Sequence, residues 1–220
     1  VTDGILLDND VVLKACAYRC QNEVIERTTL GDVPPAMLRI ARYTLLSILS
    51  RPCGVIDLEG ATAALYELLP QVQLLDPTET EIELAAEFEE LAMSNSFSFD
   101  SGESQLVAIL ILRNAALLIT GDKRAIAALA GIAPSPAEGR IACFEQLAAL
   151  LLAKYSHEQI RLRVCSEAGA DKAISICFSC KSEATSSENI LAGLASYIRD
   201  LRSKTGHILI DDAILLSKVP

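Results

Sequence analysis

Strands alternating with helices, and no β-hairpin signature, predict an α/β fold: a parallel, doubly wound sheet flanked by helices. Short apolar runs at 4–7, 72–75, 116–120 and 141–144 read as buried parallel strands. Stretches with helical apolar spacing fill the intervals between them. Carboxylates follow or flank several of these runs, where open parallel sheets place their sites.

In chain order, residues 4–7 form a strand that ends in Asp8-Asn9-Asp10. Residues 11–27 carry apolar side chains at 12, 13, 16, 20, 24 and 25, which predicts one amphipathic helix. Pro34 and Pro35 are expected to open a second helix running to about residue 50, since proline is tolerated in a first turn. A connection at 54–60 includes a candidate short strand, Val55-Ile56, and a short helix at 61–69 stops at Pro70. After the strand at 72–75, Asp76-Pro77-Thr78-Glu79-Thr80-Glu81 is a helix start, with a cap and acids suited to the positive helix end. That helix is expected to run to Met93. A polar loop, a helix opened by Asp100-Ser101-Gly102-Glu103, the 116–120 strand and a helix at 123–130 follow. The 141–144 strand leads into a helix at 145–155.

Residues 1–155 are therefore expected to form the sheet domain, and 156–220 an α-rich C-terminal extension or small subdomain. Within the extension, 157–168 reads as a helix, 173–180 as a β-prone run and 190–202 as an amphipathic helix. The apolar run at 207–210 would suit a partner chain, such as an antitoxin or a second copy in a homodimer.

Of the 220 residues 51% are hydrophobic, and Trp is absent, so the core must be aliphatic. The net charge of -10 argues against broad duplex binding, which needs a basic footprint. No run of eighteen apolar residues and no signal-peptide pattern is evident, so a cytoplasmic protein with no membrane association is expected. Seven cysteines, an odd number at irregular spacing, are expected to be reduced and mostly buried. Cys177 and Cys180 have CxxC spacing, but no second pair completes the four ligands of a structural zinc site. His157 and His207 have no partner motif. Lys154, Arg161, Arg163, Arg199, Arg202 and Lys204 are the densest basic residues. They are either solvated helix faces or a strip that guides RNA.

Chemistry concentrates on acids. Asp8 ends the first strand, either as a turn residue or as a site at the sheet edge. Asp10 is expected to cap the next helix. Asp100 and Glu103 have capping-box spacing, and a cap and a site explain them equally well. Asp122 follows Thr120-Gly121 and either caps the helix at 123–130 or joins the site. Lys123 and Arg124 then stand where a helix dipole disfavours cations, which suits an anionic substrate nearby.

In order, ILLDNDVVL, VQLLDPTETEIELAAEFEELA, FDSGESQLVAILI and LLITGDKRAI resemble segments of the PIN-domain family of metal-dependent ribonucleases, over roughly residues 4–150. The third resembles the D-x-GE helix of one branch. The resemblance implies a PIN-like sheet whose catalytic and metal-binding acids are Asp8, Glu103 and Asp122, with Asp10 and Asp100 as further candidates. Thr120, Lys123 and Arg124 would contact substrate. Mg²⁺ or Mn²⁺ would be the cofactor and single-stranded or structured RNA the substrate, and the family also implies toxin–antitoxin pairs. Without metal, acids this close would repel, and at least one pKa would rise. The family's fourth acid is missing: the stretch at 34–49 has no Asp or Glu, and Arg39 and Arg42 stand there. A catalytically weakened scaffold that binds protein or RNA is therefore an alternative. Asp8-Asn9-Asp10-Val11-Val12 also resembles the D-x-D-x-V motif of haloacid-dehalogenase-like phosphatases, with Asp8 as nucleophile. Ile126 stands where that reading needs a second acid after Asp122.

Overall fold

Five short strands form one all-parallel sheet in the order β3-β2-β1-β4-β5. They are β1 (Ile5–Leu7), β2 (Ala36–Leu38), β3 (Gln73–Leu75), β4 (Leu117–Thr120) and β5 (Ile141–Cys143). The computed structural model describes residues 4–132 and 134–219. Every residue of β1, β2, β4 and β5 is buried, as expected of strands covered on both faces.

The order fixes the winding. From β1 the chain steps outward to β2 and β3, then returns past β1 to β4 and β5. Right-handed crossovers in opposite directions put their helices on opposite faces. The first set comprises α1 (Asn9–Ala17), α2 (Gln21–Thr28), α3 (Ala41–Leu49) and α4 (Leu58–Leu68), which pack on one another. The second comprises α5 (Glu79–Ser94), α6 (Ser101–Leu112), α7 (Lys123–Ile132) and α8 (Pro134–Ala137), which do likewise. The reversal falls between the carboxyl ends of β1 and β4, which pair from Ile5↔Leu117 to Leu7↔Ile119. Ligands in open α/β sheets bind at such a switch point.

After β5 come α9 (Phe144–Lys154), α10 (His157–Ser166), α11 (Lys172–Cys177), α12 (Ser187–Thr205) and α13 (Asp212–Lys218). Helix α12 packs on α9 and α7, and Ile160, Ile174, Phe178, Leu194 and Leu209 share one buried core with the sheet. Leu209 forms a single parallel bridge to Ile141, so residues 207–210 run beside β5.

Several local expectations are corrected. The helix expected from Pro34 to about residue 50 is instead β2 followed by α3. Ala36, Met37 and Leu38 complete the sheet between β1 and β3. The helix expected at 11–27 is two helices, broken at Tyr18-Arg19-Cys20, where Arg19 has φ 54. Val55-Ile56 forms no strand; the Ile56 and Asp57 amides donate to the carboxylate of Glu167 instead. The β-prone run at 173–180 begins as helix α11, because Asp171 caps it by accepting from the amides of Ala173 and Ile174. The cysteines are not all reduced: Cys165 and Cys180 form a disulfide. Cys180 is thereby removed from any CxxC metal site, while Cys16, Cys20, Cys143 and Cys177 are buried free thiols.

Candidate functional site

Each candidate acid stands at a helix N-terminus near the switch point. Asp8 caps α1, with Oδ1 accepting from the Asn9 amide at 2.7 Å, and is only 6% exposed. Its Oδ2 accepts from the Thr120 hydroxyl at 2.9 Å. Thr120 Oγ1 in turn accepts from the Asp122 amide at 3.2 Å, so one hydroxyl joins the ends of β1 and β4. Asp122 caps α7, accepting from the amides of Arg124 and Ala125 and from the Arg124 guanidinium. Asp100 caps α6 through the amides of Gly102 and Glu103, and Glu103 Oε2 accepts from the Asp100 amide at 2.8 Å. Cap and site are thus not exclusive for this pair, because Glu103 closes the capping box while facing the cleft.

A cleft of about 350 Å³ is lined by Asp10, Lys14, Asp100, Glu103, Gly121, Asp122, Ala170 and Asp171. A small, mostly apolar cavity of about 10 Å³ shares Glu103 with it and is also lined by Asp8 and Thr120, together with side chains such as Leu106 and Val107. Glu103 belongs to both, Asp8 only to the small cavity, and Asp122 only to the cleft. Among the described residues, no three His, Cys, Asp or Glu side chains are posed to hold one metal ion.

The acids divide by charge compensation. Burial pushes the Asp8 carboxyl up to about 6, against its hydrogen bonds from Thr120 and Asn9, and repulsion from Asp10 and Asp100 adds to the rise. Burial likewise pushes Glu103 up to about 8, with further repulsion from Asp100, Asp122 and Asp8. Asp10 and Asp122 have cations. Asp10 bonds Lys14 at 2.5 Å, although burial still holds its pKa above the ordinary value. For Asp122 burial is the largest influence, yet the bonds from Arg124 and the capping amides outweigh it and hold the pKa below the ordinary value.

Sequence reasoning missed Lys14 and Asp171. Lys14 is 5% exposed and bonds Asp10 and Asp171, each at 2.5 Å. Burial opposes its charge, but the two carboxylates together raise its pKa. A Cβ at Gly121 would lie 1.8 Å from Asp10 Oδ2 and 2.7 Å from Lys14 Nζ, so only glycine lets this ion pair approach the backbone after β4 so closely. The one available sequence signal was a lysine four residues after Asp10 on an apolar helix.

The basic candidates are largely engaged within the fold. Lys123 bonds buried Glu145 at 2.5 Å and lies over the Tyr197 ring. Arg124 pairs with Asp122, and Arg39 with Asp76. In the C-terminal strip, Lys154 pairs with Glu26, Arg163 with Glu23, Arg202 with Asp212 and Lys204 with Asp200. Arg161 donates to the carbonyls of Phe178, Ser179 and Ser182. These contacts favour solvated, paired helix faces over a free basic strip.

The site class defined here is an acidic cleft at the switch point of a parallel α/β sheet. No protein-family model matches the chain, and no curated protein or solved structure matches it significantly. No described helix is long and apolar enough to cross a membrane.

Proposed function

We propose that the chain is a PIN-type ribonuclease that hydrolyses RNA phosphodiester bonds with a divalent metal at this cleft. One observation carries the reading: Asp8 and Glu103 are carboxyls raised to about 6 and 8 beside further acids, and among the described residues neither is in a salt bridge. Such uncompensated oxygen donors suit a hard cation. Asp8, Glu103 and Asp122, with Asp10 and Asp100 beside them, are the residues that would hold Mg²⁺ or Mn²⁺, once their side chains turned toward one point from the caps and ion pair they make here. When bound, the metal would lower the pKa of a water and stabilise charge on the scissile phosphate.

The chain's own residues contribute the rest. Thr120 orients Asp8 by donating to Oδ2. Glu103, whose carboxyl is raised to about 8 without metal, would give up its proton to ligate the cation, so metal binding would release protons. Lys14 offsets the charge of Asp10 and Asp171, which lessens repulsion of an incoming phosphate.

The catalytically weakened scaffold remains the second reading. It is favoured by the cations already on Asp10 and Asp122 and by Arg39 and Arg42 where the fourth acid is expected. One experiment separates the two. Mn²⁺-dependent cleavage of single-stranded RNA, abolished by Asp122→Asn, is expected of the nuclease. Calorimetry that shows no Mg²⁺ or Mn²⁺ binding, with no cleavage, supports the scaffold.

A further inference from the structure

We propose that Cys165–Cys180 is a reversible redox site, reduced by a dithiol, whose opening releases Asp171 from Lys14 and uncovers the acidic cleft. The disulfide joins the last turn of α10 to the segment just after α11 and closes a loop of sequence separation 15. Both sulfurs belong to half-buried residues that pack against the edge of the core. The loop between them reaches the cleft directly, because Ala170 and Asp171 form part of its wall. Asp171 is the second carboxylate on Lys14.

Helix α11 is anchored by Ile174, Cys177 and Phe178, which are buried in the core, so the part of the loop that can open is residues 166–172, which a few other contacts hold. Glu167, 4% exposed, accepts from the Ile56 and Asp57 amides at 2.6 and 2.8 Å. Gly169 packs its backbone against Gly54, and a Cβ there would lie 2.5 Å from the Gly54 carbonyl oxygen. Arg161 grips the carbonyls that follow α11, on the same side as the disulfide. A cross-link of this length restricts the conformations open to the loop, so cutting it favours opening.

The exchange balances with a dithiol as reductant. One reductant thiolate attacks a sulfur of the disulfide, and the other cysteine leaves as thiolate. The second reductant thiol then resolves the mixed disulfide. Cys165 and Cys180 gain two electrons and two protons, and the reductant becomes a disulfide. Buried Cys177 stays a thiol, with a pKa pushed up to about 11, so the attacking thiolate comes from outside.

The full chain, purified without reductant, is titrated for thiols in denaturant before and after dithiothreitol. Five reactive thiols before treatment and two more afterwards are expected. In the folded protein, reduction should speed acylation of Lys14 by an amine-reactive reagent about ten-fold or more. Amide exchange at residues 54–57 and 169–174 should rise similarly, with far-UV dichroism unchanged. Cys180→Ser should reproduce the reduced behaviour without reductant. The proposal is overturned if seven thiols titrate before reduction, if Lys14 labelling is unchanged by it, or if reduction unfolds the whole chain. No readout uses RNA or a metal, so failure here is separate from failure of the nuclease reading.

Discussion

Helices α5 and α6 each begin with a reciprocal capping box, Thr78 with Glu81 and Asp100 with Glu103. In both, the glutamate carboxylate accepts from the amide of the capping residue. Their surroundings then diverge. Glu81 receives both arms of Arg113, at 2.6 and 2.7 Å, and its pKa is held below the ordinary value. Among the described residues no guanidinium bonds Glu103, which faces three other acids and rises to about 8. One local motif thus serves packing in the first helix and leaves an unmet charge in the second. The tertiary partner, not the cap, tells a structural carboxylate from a candidate catalytic one.

The largest expected effect comes from neutralising the paired member. Glu81→Gln keeps a capping side chain but leaves Arg113 without its counter-charge, and should cost about 3 kcal/mol in urea unfolding at pH 7. The same change at Glu103 should act in the opposite sense. The folded pKa of Glu103, about 8, lies above its ordinary value of 4.5, so the native state binds its proton more tightly. Stability is therefore lost as pH rises from 4.5 through 8. Asp8 adds a like loss between 3.8 and about 6. Glu103→Gln should stabilise the protein by about 1–2 kcal/mol at pH 8.5, discounted for solvent screening, and remove the upper part of the decline. Urea midpoints at pH 5 and pH 8.5 measure this, and a variant that declines as steeply as the parent breaks the comparison. Glu81 has the reverse pH sense: its pairing stabilises above pH 4.5 and fades as pH falls through its lowered pKa. The smallest effect is expected at Thr120→Val, which removes the hydroxyl from Asp8 Oδ2. It should cost about 1 kcal/mol and raise the Asp8 pKa further, as followed by carboxyl NMR titration.

The strands at Asp8 and Thr120 were legible because a buried parallel strand is a short apolar run that stops at its turn. The acids at their ends were legible for the same reason. Strand β2 was hidden, since Ala36-Met37-Leu38 runs without a break into residues of helical spacing and the two prolines mimic a helix start. Helix α11 was misread because Ile174 and Ile176 alternate like strand residues, while the deciding cap from Asp171 is a single contact. The pairing of Lys14 with Asp171 joins residues far apart in the chain, as does the disulfide. No local periodicity records such contacts.

Arg39, which stands where the resemblance led one to expect an acid, has a consequence for self-association. At the outer strand β3, the Gln73 amide and Leu75 carbonyl point inward to Pro35 and Arg39. Alternation leaves the Leu74 backbone facing outward, and the Arg39 guanidinium bonds the Leu74 carbonyl at 3.2 Å. At the opposite border, residues 207–210 lie along β5. One border is thus flanked by chain, and the other is three residues long with a charged side chain on its outward acceptor. Both are devices that discourage sheets from adding strands edge to edge.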